Sequence, residues 1–412
     1  MEELLVESLG NGVGGVAKPA GSRVTFIPGA LPGERVLCEP GPPRGSWREA
    51  SLVEILSPSP GRVEPFCPLS GECGGCSLQH LRYDEQLVWK REWVSSALSR
   101  ARITHPGVEP VRPSVETRGY RNRVTFEVER GFLCLHRRRG DMLAAGDCPL
   151  LHGRGREIAR AVSGNAGAGP CRIAVKASFL DGRTAVELDG EAPPFPGLPP
   201  GTAAWRRGRR GWEGRADAEP LREEIAGATL RVPVGGFFQV NTRAASEMSS
   251  FIADSLGESV GLRVLDLYGG AGTFSIPLAA RGARALCVDS SPESIEASRA
   301  SAADLRPAGA FEALSEDAGA FLSDAGRRGG FDAVIADPPR AGMGAREAGE
   351  LAGLEAGMIV MVSCNPFTLA RDLRVLSGSY RVTRVTPFDL FPHTDHVETV
   401  CFLERKPREA RE

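Results

Sequence analysis

The stretch Asp266-Leu267-Tyr268-Gly269-Gly270-Ala271-Gly272-Thr273 decides the fold class, because it reads as the end of a β-strand, a glycine turn and the start of a helix. Strand candidates alternate with alanine-rich helical segments around and after this turn; they cover residues 263–268, 284–289, 331–336 and 357–363, with two more near 380–387 and 397–403. This alternation predicts an α/β fold with a doubly wound parallel sheet from residue 231 onward.

The glycine turn after Asp266 predicts a cofactor site, because its backbone N–H groups face the crevice at the carboxyl ends of the strands. Asp289 ends the second strand, where an acidic residue normally takes ribose hydroxyls. The glycine pattern is not the dinucleotide G-x-G-x-x-G and no phosphate-binding lysine follows, so S-adenosylmethionine fits better than NAD or ATP. A tight turn that only reverses the chain is the plainer alternative.

Cys364 is the candidate nucleophile, because Ser363-Cys364-Asn365-Pro366 places it between an apolar strand and a helix that begins at Pro366. The N-terminus of that helix should lower the pKa of the thiol and favour the thiolate. A buried core cysteine is an equally ordinary interpretation of this residue.

Two carboxylates accompany the cysteine in sequence. Asp337 ends the preceding strand, and the two prolines after it stiffen the exit so that side chains face the crevice. Arg340 follows where an aromatic residue would suit methylation of an exocyclic amine, which favours a carbon centre or a substrate whose phosphate or carbonyl an arginine can bind. Glu398 opens the last strand among valines, where burial should raise the carboxyl pKa and make it a usable base.

A cysteine-rich loop predicts a metal centre. Cys67-x5-Cys73-x2-Cys76 supplies three thiols among glycines, and Cys148, in a turn, is a better fourth ligand than Cys134, which lies in a strand-like context. Four thiolates suit either zinc or a [4Fe-4S] cluster, and spacing alone does not separate the two. Buried cysteines without a ligand are the remaining alternative.

The N-terminal segment predicts a small β-barrel, because residues 4–56 alternate short apolar runs with glycine and proline turns. A proline-rich linker starts at Ser57, and mixed strand and turn patterns follow the cysteine loop. Residues 188–222 are rich in glycine, proline and arginine and predict long loops.

Bulk composition predicts a multidomain protein of the cytoplasm. The chain has 412 residues and a formal net charge of -2, so a histone-like binder of polyanions is excluded and any nucleic-acid contact needs a local patch. Neither a secretory signal at Met1–Leu4 nor an apolar run of membrane-spanning length is found in the sequence. Ten cysteines in a reducing compartment point to metal binding or catalysis rather than disulfides.

Together these motifs resemble the RNA (uracil-5-)-methyltransferase family, in its form with a TRAM domain and an iron-sulfur centre. Further segments carry the resemblance in the family's order: 26–34, 67–80, Tyr120-Arg121-Asn122, Phe237-Phe238-Gln239-Val240-Asn241 and His396-Val397-Glu398. The resemblance covers most of the chain and implies three domains. These are an RNA-binding TRAM barrel of OB-like form (1–57), a mixed α+β domain with the iron-sulfur loop (58–230) and a Rossmann-like methyltransferase domain (231–412).

The resemblance also implies site residues. The expected [4Fe-4S] ligands are Cys67, Cys73, Cys76 and Cys148. The expected S-adenosylmethionine contacts are Gln239, Tyr268, Asp289, Asp337 and, near the adenine, Asp317. Cys364 resembles a nucleophile that adds to C6 of a flipped or looped uracil, and Glu398 a base that removes the C5 proton.

The implied substrate is a uridine of 23S rRNA, with the T-loop uridine of tRNA as the alternative. No protein partner is implied, and a monomer is expected. Two competing interpretations fit less well. A radical methylthiotransferase would have a Cys-x3-Cys-x2-Cys loop instead of Cys-x5-Cys-x2-Cys and would leave Cys364 and Glu398 unexplained. An inactive RNA-binding protein would not bind S-adenosylmethionine, whereas the motifs here are intact.

The chain departs from the family pattern in three places. Gly269 stands where a cysteine is frequent, which looks harmless, and Asp289 stands where glutamate is commoner. Residues 201–213 match no family motif; their two tryptophans and four arginines suit either base stacking and phosphate binding or a solvated hairpin with structural tryptophans.

Overall fold

The computed structural model describes residues 1–19, 21–138, 140–167, 171–190, 198–215, 218–303, 305, 311–324 and 330–407. Three large β-sheets in these ranges carry the fold, and a short two-stranded sheet joins the second to the third. No helix in the described ranges is long and apolar enough to cross a membrane.

The N-terminal sheet is built from short strands with buried apolar residues. They are β1 (Glu2–Leu5), β2 (Ser8–Gly10), β3 (Gly14–Ala17), β4 (Val24–Ile27), β5 (Arg35–Arg44) and β6 (Trp47–Ser57). Their order is β1-β5-β6-β4-β3-β2, so the expected closed barrel is wrong: β1 and β2 are both edge strands. The chain between them bonds elsewhere, because Val6 N–H donates to Glu34 O and Val6 O accepts from Gly33 N–H.

Helix α1 (Tyr83–Arg100) follows the cysteine loop, and Gln86 Nε2 donates to the carbonyl of Leu78, just after that loop. Its buried residues Val94, Ala97 and Leu98 join the same apolar core as strands of the C-terminal sheet. Although the sequence places α1 in the predicted central domain, its packing supports the C-terminal sheet. The division at residues 57 and 230 stays a prediction.

The central sheet is a seven-stranded layer with one helix on it. Its elements are β7 (Arg123–Glu129), β8 (Phe132–His136), β9 (Met142–Ala144), α2 (Gly153–Val162), β10 (Cys171–Ala177), β11 (Thr184–Gly190), β12 (Thr202–Gly208) and β13 (Gly211–Gly214). The strand order is β13-β12-β11-β10-β7-β8-β9. The expectation of loops over 188–222 is therefore partly wrong, because β12 pairs in parallel with β11 and turns back as β13.

The C-terminal part confirms the methyltransferase-type α/β sheet. Its elements are β14 (Arg222–Ile225), β15 (Ala228–Arg231), α3 (Thr242–Leu256), β16 (Arg263–Leu267), α4 (Ser275–Ala280), β17 (Arg284–Asp289), α5 (Pro292–Ala302), β18 (Phe311–Ser315), α6 (Ala318–Ser323), β19 (Ala333–Ala336), α7 (Ala345–Gly353), β20 (Met358–Ser363), α8 (Pro366–Leu376), β21 (Tyr380–Phe388) and β22 (Glu398–Arg405). The large sheet has the order β18-β17-β16-β19-β20-β22-β21. All neighbouring pairs from β18 to β20 are parallel, and β22 runs antiparallel between β20 and β21.

Candidate active site

Three predicted site residues meet at one edge of the C-terminal sheet. Asp337 follows β19 and Cys364 follows β20, and because these strands are parallel both residues leave the same edge. Strand β22 is antiparallel and starts at that edge with Glu398. Ser363 pairs with Thr399, which brings the next residue, Cys364, beside Glu398.

The pKa of the Cys364 thiol is raised, whereas the sequence predicted that it would be lowered. Burial, and after it the neighbouring carboxylates of Glu398 and Asp337, raise the pKa to about 12 against the opposing effect of the Arg340 guanidinium. The expected influence of helix α8, whose N-cap is Asn365, does not prevail over desolvation and two acidic neighbours. In the free protein Cys364 is therefore held as the thiol.

Glu398 behaves as its apolar neighbours predict. It is almost fully buried. Burial raises its pKa well above the ordinary value, Asp337 adds to the rise, and Arg340 opposes it. A carboxylate in this setting binds a proton tightly, which is what a base that must take a carbon-bound proton needs.

Arg340 is the cation of this cluster and is fixed from three directions. Its Nη2 lies 2.9 Å from His396 Nδ1. Its carbonyl oxygen accepts hydrogen bonds from Asn365 Nδ2 and Thr368 Oγ1, both at 3.3 Å. The sequence assigned no role to His396; its position two residues before Glu398 was the available signal.

Gln239 and Asp337 face each other on the cofactor side. Gln239 Nε2 lies 3.5 Å from Asp337 Oδ2, and the Gln239 carbonyl accepts from Asn122 Nδ2 at 2.9 Å. Asn241 caps helix α3 by accepting from Ala244 N–H. The chain Phe237–Asn241 is thus tied to the central sheet and to the C-terminal sheet at once.

Tyr268 occupies a strained position directly after β16. Its φ is +59°, in the left-handed region that a non-glycine residue rarely adopts. Its hydroxyl donates to Glu347 Oε2 at 2.6 Å. Burial and then this hydrogen bond to Glu347 raise the pKa of the phenol, so Tyr268 is a neutral donor. Glu347 gave no signal in the sequence, because it lies in an ordinary alanine-rich helix.

Asp289 and Asp317 are both held by backbone N–H groups. Asp289 accepts from Gly270 N–H at 3.0 Å and from Ser291 N–H at 2.7 Å. Asp317 caps helix α6 by accepting from Ala320 N–H at 3.0 Å. Each carboxylate oxygen retains a further lone pair, so these bonds orient the groups without using up their capacity for ribose hydroxyls.

Asp266 is a buried acid that the sequence did not single out as a site residue. Its Oδ2 accepts from Ser275 N–H and Oγ–H, and its Oδ1 is buried without a partner among the described residues. Burial raises its pKa to about 7. Burial likewise raises the pKa of Asp337 to about 7, and Asp266 contributes to that rise.

Gly269, one of the departures from the family pattern, lies in closely packed surroundings. A Cβ added at Gly269 would lie 2.6 Å from Cys287 Sγ and 2.8 Å from the Asp266 carboxylate. The side chain of Cys287 thus fills the space that a larger residue at 269 would take.

The four predicted cluster cysteines line one cavity of about 910 Å³. Cys134 lies instead in β8, where its Sγ donates to the Phe132 carbonyl. Among the described residues no three histidine, cysteine or acidic side chains stand close enough together to hold one metal ion. The choice between zinc and a [4Fe-4S] cluster therefore stays a prediction.

The loop that carries Cys67, Cys73 and Cys76 is hydrogen-bonded in the way a cluster loop requires. Gly75 N–H donates to Cys73 Sγ at 3.4 Å, and Cys67 N–H donates to Gln79 Oε1 at 3.2 Å. A Cβ at Gly74 would lie 3.1 Å from the His136 carbonyl, so glycine allows the loop to approach β8. The residues present fit a cluster of this kind.

The tryptophan and arginine segment forms the hairpin of β12 and β13. Trp205 and Trp212 are half-buried, and a Cβ added at Gly235 would lie 1.9 Å from the Trp212 indole nitrogen. The tryptophans therefore pack against backbone, which favours the structural interpretation for them.

A family model described as tRNA (Uracil-5-)-methyltransferase matches residues 327–406, and one described as Conserved hypothetical protein 95 matches residues 249–361. The first match contains Asp337, Cys364 and Glu398.

Among similar curated proteins is a 23S rRNA (uracil(1939)-C(5))-methyltransferase RlmD of Vibrio campbellii, 32% identical over 92% of this chain and 91% of the relative. A tRNA (uracil(54)-C(5))-methyltransferase of Pyrococcus abyssi is 31% identical over 92% of this chain and 95% of the relative. The crystal structure of the Pyrococcus abyssi tRNA (uracil-54, C5)-methyltransferase in complex with S-adenosyl-L-homocysteine is also similar. It has a TM-score of 0.75 and 26% identity, covering 98% of this chain and all of that one.

Proposed function

Because this chain belongs to the RNA (uracil-5-)-methyltransferase family, we propose that it methylates C5 of a specific uridine in 23S rRNA through a covalent bond between Cys364 and C6. The convergence of Cys364, Asp337 and Glu398 at one sheet edge is the observation that carries this proposal. Two relatives named as 23S rRNA enzymes, each 32% identical to this chain, support the rRNA substrate.

The chemistry follows from the electronic structure of uracil, whose C5 is too weak a nucleophile to take a methyl group unaided. The Cys364 thiol must first lose its proton. Its thiolate then attacks C6, which forms a C–S bond and moves the C5=C6 electron pair into an enolate with density at C5. S-adenosylmethionine, when bound, supplies the methyl group that C5 accepts. Glu398 then takes the C5 proton, the C5=C6 bond re-forms, and the C–S bond breaks to release the Cys364 thiolate.

The residues of the cofactor side fit S-adenosylmethionine. Asp289 is held at the end of β17 by two N–H groups and has lone pairs for ribose hydroxyls. Tyr268, Asp337 and Asp317 follow the carboxyl ends of β16, β19 and β18, and Gln239 Nε2 lies 3.5 Å from Asp337 Oδ2. A cationic ligand there would offset the repulsion from Asp266 that, after burial, raises the pKa of Asp337.

We assign the cysteine cavity to a [4Fe-4S] cluster held by Cys67, Cys73, Cys76 and Cys148. Its contribution is to fix the loop, since all reacting groups lie on the C-terminal sheet. We also assign RNA binding to residues 1–57 as a TRAM domain, and propose a cytoplasmic monomer, in keeping with relatives that modify rRNA and tRNA.

The T-loop uridine of tRNA is a second candidate substrate. The Pyrococcus abyssi relative named for tRNA uracil 54 favours it, because it matches this chain over nearly the full length in both sequence and structure.

The test is transfer of tritium from methyl-labelled S-adenosylmethionine to purified 23S rRNA and, separately, to an unmodified tRNA transcript. We expect 5-methyluridine in 23S rRNA, complete loss in Cys364→Ala, and near wild-type activity in the control Cys171→Ala, whose thiol lies in β10 of the central sheet. Labelling of tRNA alone would keep the mechanism and replace the substrate. An active Cys364→Ala would overturn the covalent mechanism.

A further inference from the structure

A second cleft, of about 750 Å³, opens between the N-terminal sheet and the cysteine loop. One wall carries Phe26 on β4 and Trp47 on β6. The other carries His80, Arg137 and Arg138. None of these residues takes part in the mechanism above.

The cleft ends at the segment that leads into the active site. Asp395 lines it and is held there, because Ser77 Oγ–H donates to Asp395 Oδ1 at 3.1 Å and Asn11 Nδ2 donates to Asp395 O at 2.8 Å. The next residue, His396, contacts Arg340. Glu398 is three residues after Asp395, and three residues span at most about 11 Å. The end of the cleft at Asp395 therefore lies within that distance of Glu398 along the backbone.

Glycine makes the N-terminal wall possible. Gly12 has a φ of +75°, and a Cβ there would lie 3.1 Å from Asp395 Oδ2. Gly14 has a φ of +84°, and its Cβ would lie 2.7 Å from the Pro28 Cα. Glycine at 12 thus lets the N-terminal sheet approach Asp395, and glycine at 14 lets two parts of that sheet approach each other.

The walls offer the groups that bind an unpaired nucleotide. Phe26 and Trp47 are half-buried and pack edge to face, with ring centroids 5.5 Å apart, and the Arg44 guanidinium lies 5.4 Å from the Trp47 ring centroid. His80 Nε2 is buried yet has no hydrogen-bond partner among the described residues. Arg138 is exposed and held by a bond from Nη2 to the Cys76 carbonyl, while Arg137 pairs with Glu72.

We propose that this cleft binds an unpaired nucleotide of the substrate RNA, close in the chain to the methylated uridine. The base stacks on Phe26 and Trp47, its polar edge bonds to His80 Nε2, and a phosphate lies by Arg138. This rests on the proposed function, because the substrate RNA is the ligand. Occupying the cleft would fix the register in which the target uridine enters the active site.

The direct test is photo-crosslinking of the full-length protein to 23S rRNA and tRNA transcripts that contain 4-thiouridine, with identification of the linked peptides by mass spectrometry. We expect links to peptides containing Phe26, Trp47 or His80, at a nucleotide other than the methylated one. Links to none of these peptides, with either RNA, would overturn the proposal. Linkage of the methylated uridine itself to this cleft would also overturn it.

Variants give a second readout. We expect Trp47→Leu to raise the RNA Kd about tenfold through loss of stacking, and Arg138→Ala to raise it about threefold and reduce the salt dependence by about one ion. Both should leave kcat at saturating RNA within about twofold. Arg381→Ala, which also removes an exposed, paired arginine but on β21, is the control and should change neither.

Arg138 is exposed, so its replacement tests the cleft even if Trp47→Leu loosens the N-terminal sheet. An Arg138→Ala Kd equal to that of Arg381→Ala would contradict the proposal. The two levels of inference separate cleanly: a wild-type protein that transfers no methyl group refutes the proposed function, whereas an active enzyme with unchanged variants and no crosslink refutes the cleft alone.

Discussion

At the scale of single residues, the candidate active site combines several buried acidic groups with one cationic side chain. Asp337, Glu398 and the Cys364 thiol all have raised pKa values, burial being the largest cause for each, and Arg340 is the cation that opposes the shift at Cys364 and Glu398. Such groups hold their protons until a positive charge or a substrate changes the balance. This predicts a resting site that is protonated and unreactive.

Alkylation of Cys364 by iodoacetamide measures that resting state. Because burial and two carboxylates raise the thiol pKa to about 12, alkylation of Cys364 should be slow at neutral pH and should accelerate throughout the alkaline range. Replacing Arg340 by Gln removes the cation that lowers the pKa, so the rate at a given pH should fall several-fold. Peptide mass spectrometry distinguishes Cys364 from the other cysteines, and a plateau near neutral pH would contradict the prediction.

Glu398→Gln separates the two halves of the reaction. The amide keeps the size of the side chain but cannot take the C5 proton, so elimination of Cys364 should stop while attack on C6 continues. We expect a methylated protein–RNA adduct that survives denaturing electrophoresis, with turnover reduced by at least about a hundredfold. Cys364→Ala must form no adduct. Normal turnover by Glu398→Gln would show that another group removes the proton.

Activity should rise with pH. Glu398 has a pKa raised well above its ordinary value, and as a base it works only after losing its proton. The thiol of Cys364, whose pKa is also raised, must likewise ionise. We therefore expect kcat/KM to increase from acid through neutral into alkaline pH. The increase should not level off just above the pKa of an ordinary glutamate. A profile that is flat above about pH 5 would contradict this assignment.

Local sequence was sufficient to select Cys364 and Glu398 as candidates, and insufficient for properties that depend on tertiary contacts. Cys364 and Glu398 stand beside apolar runs and strand ends, which are visible in the sequence. The direction of the Cys364 pKa was not, because it depends on Asp337 and Glu398 arriving from other strands. Glu347, the partner of Tyr268, is a helix residue with no distinguishing pattern.

At the scale of elements, helix α1 supports the segment that carries His396 and leads to Glu398. Lys90 Nζ donates to Asp389 Oδ1 at 2.6 Å and to the Phe391 carbonyl at 3.0 Å, and the side chains of Lys90 and Asp389 are fully buried. Gln86 accepts from His393 N–H at 2.9 Å. Desolvation lowers the pKa of Lys90, and the charge of Asp389 opposes that shift. The buried environment therefore disfavours the charged lysine, and its contacts with Asp389 and Phe391 compensate.

Lys90→Met should therefore destabilise the protein strongly. It leaves Asp389 as a buried charge without its partner, at a cost of about 3–5 kcal/mol in the free energy of unfolding. The double variant Lys90→Met/Asp389→Asn removes both charges and should recover a large part of that loss. Urea denaturation monitored by circular dichroism measures both. A single variant as stable as the wild type would mean that the pair contributes nothing.

The strands found from sequence were those with continuous apolar residues. Strands β16, β19 and β20 are buried on both faces and were predicted within a few residues. Strand β18 was missed, because Phe311-Glu312-Ala313-Leu314-Ser315 is a short edge strand with polar residues. Strand β12 was missed because its arginines and glycine suggested a loop, whereas pairing with β11 decided its conformation.

At the scale of the whole molecule, all three large sheets bind the segment 389–396. Asn11 bonds to it from the N-terminal sheet, and Asn241 Nδ2 donates to the Leu390 carbonyl from the start of α3. The hydroxyl of Tyr120, which precedes the central sheet, donates to the Pro392 carbonyl at 3.2 Å. No local pattern predicts such a meeting point, because its contacts join residues hundreds of positions apart. The segment is therefore sensitive to events in every domain.

The cysteine loop also forms hydrogen bonds to the segment 389–396. Loss of the proposed cluster should therefore disturb that segment and, with it, the active site. Ser77 and Leu78 follow Cys76 immediately, and both their N–H groups donate to the His393 carbonyl at 3.0 Å. We expect Cys73→Ser to lose iron and to lower the protection of amides in 389–398 against hydrogen exchange by at least about tenfold, leaving β16 and β17 unchanged. Cys134→Ser, a change of the same size in β8, should retain iron and protection. The measurement is hydrogen exchange followed by mass spectrometry, alongside iron analysis. An iron-free Cys73→Ser protein with normal protection in 389–398 would show that the loop keeps its shape without a cluster, and that the active site does not depend on it.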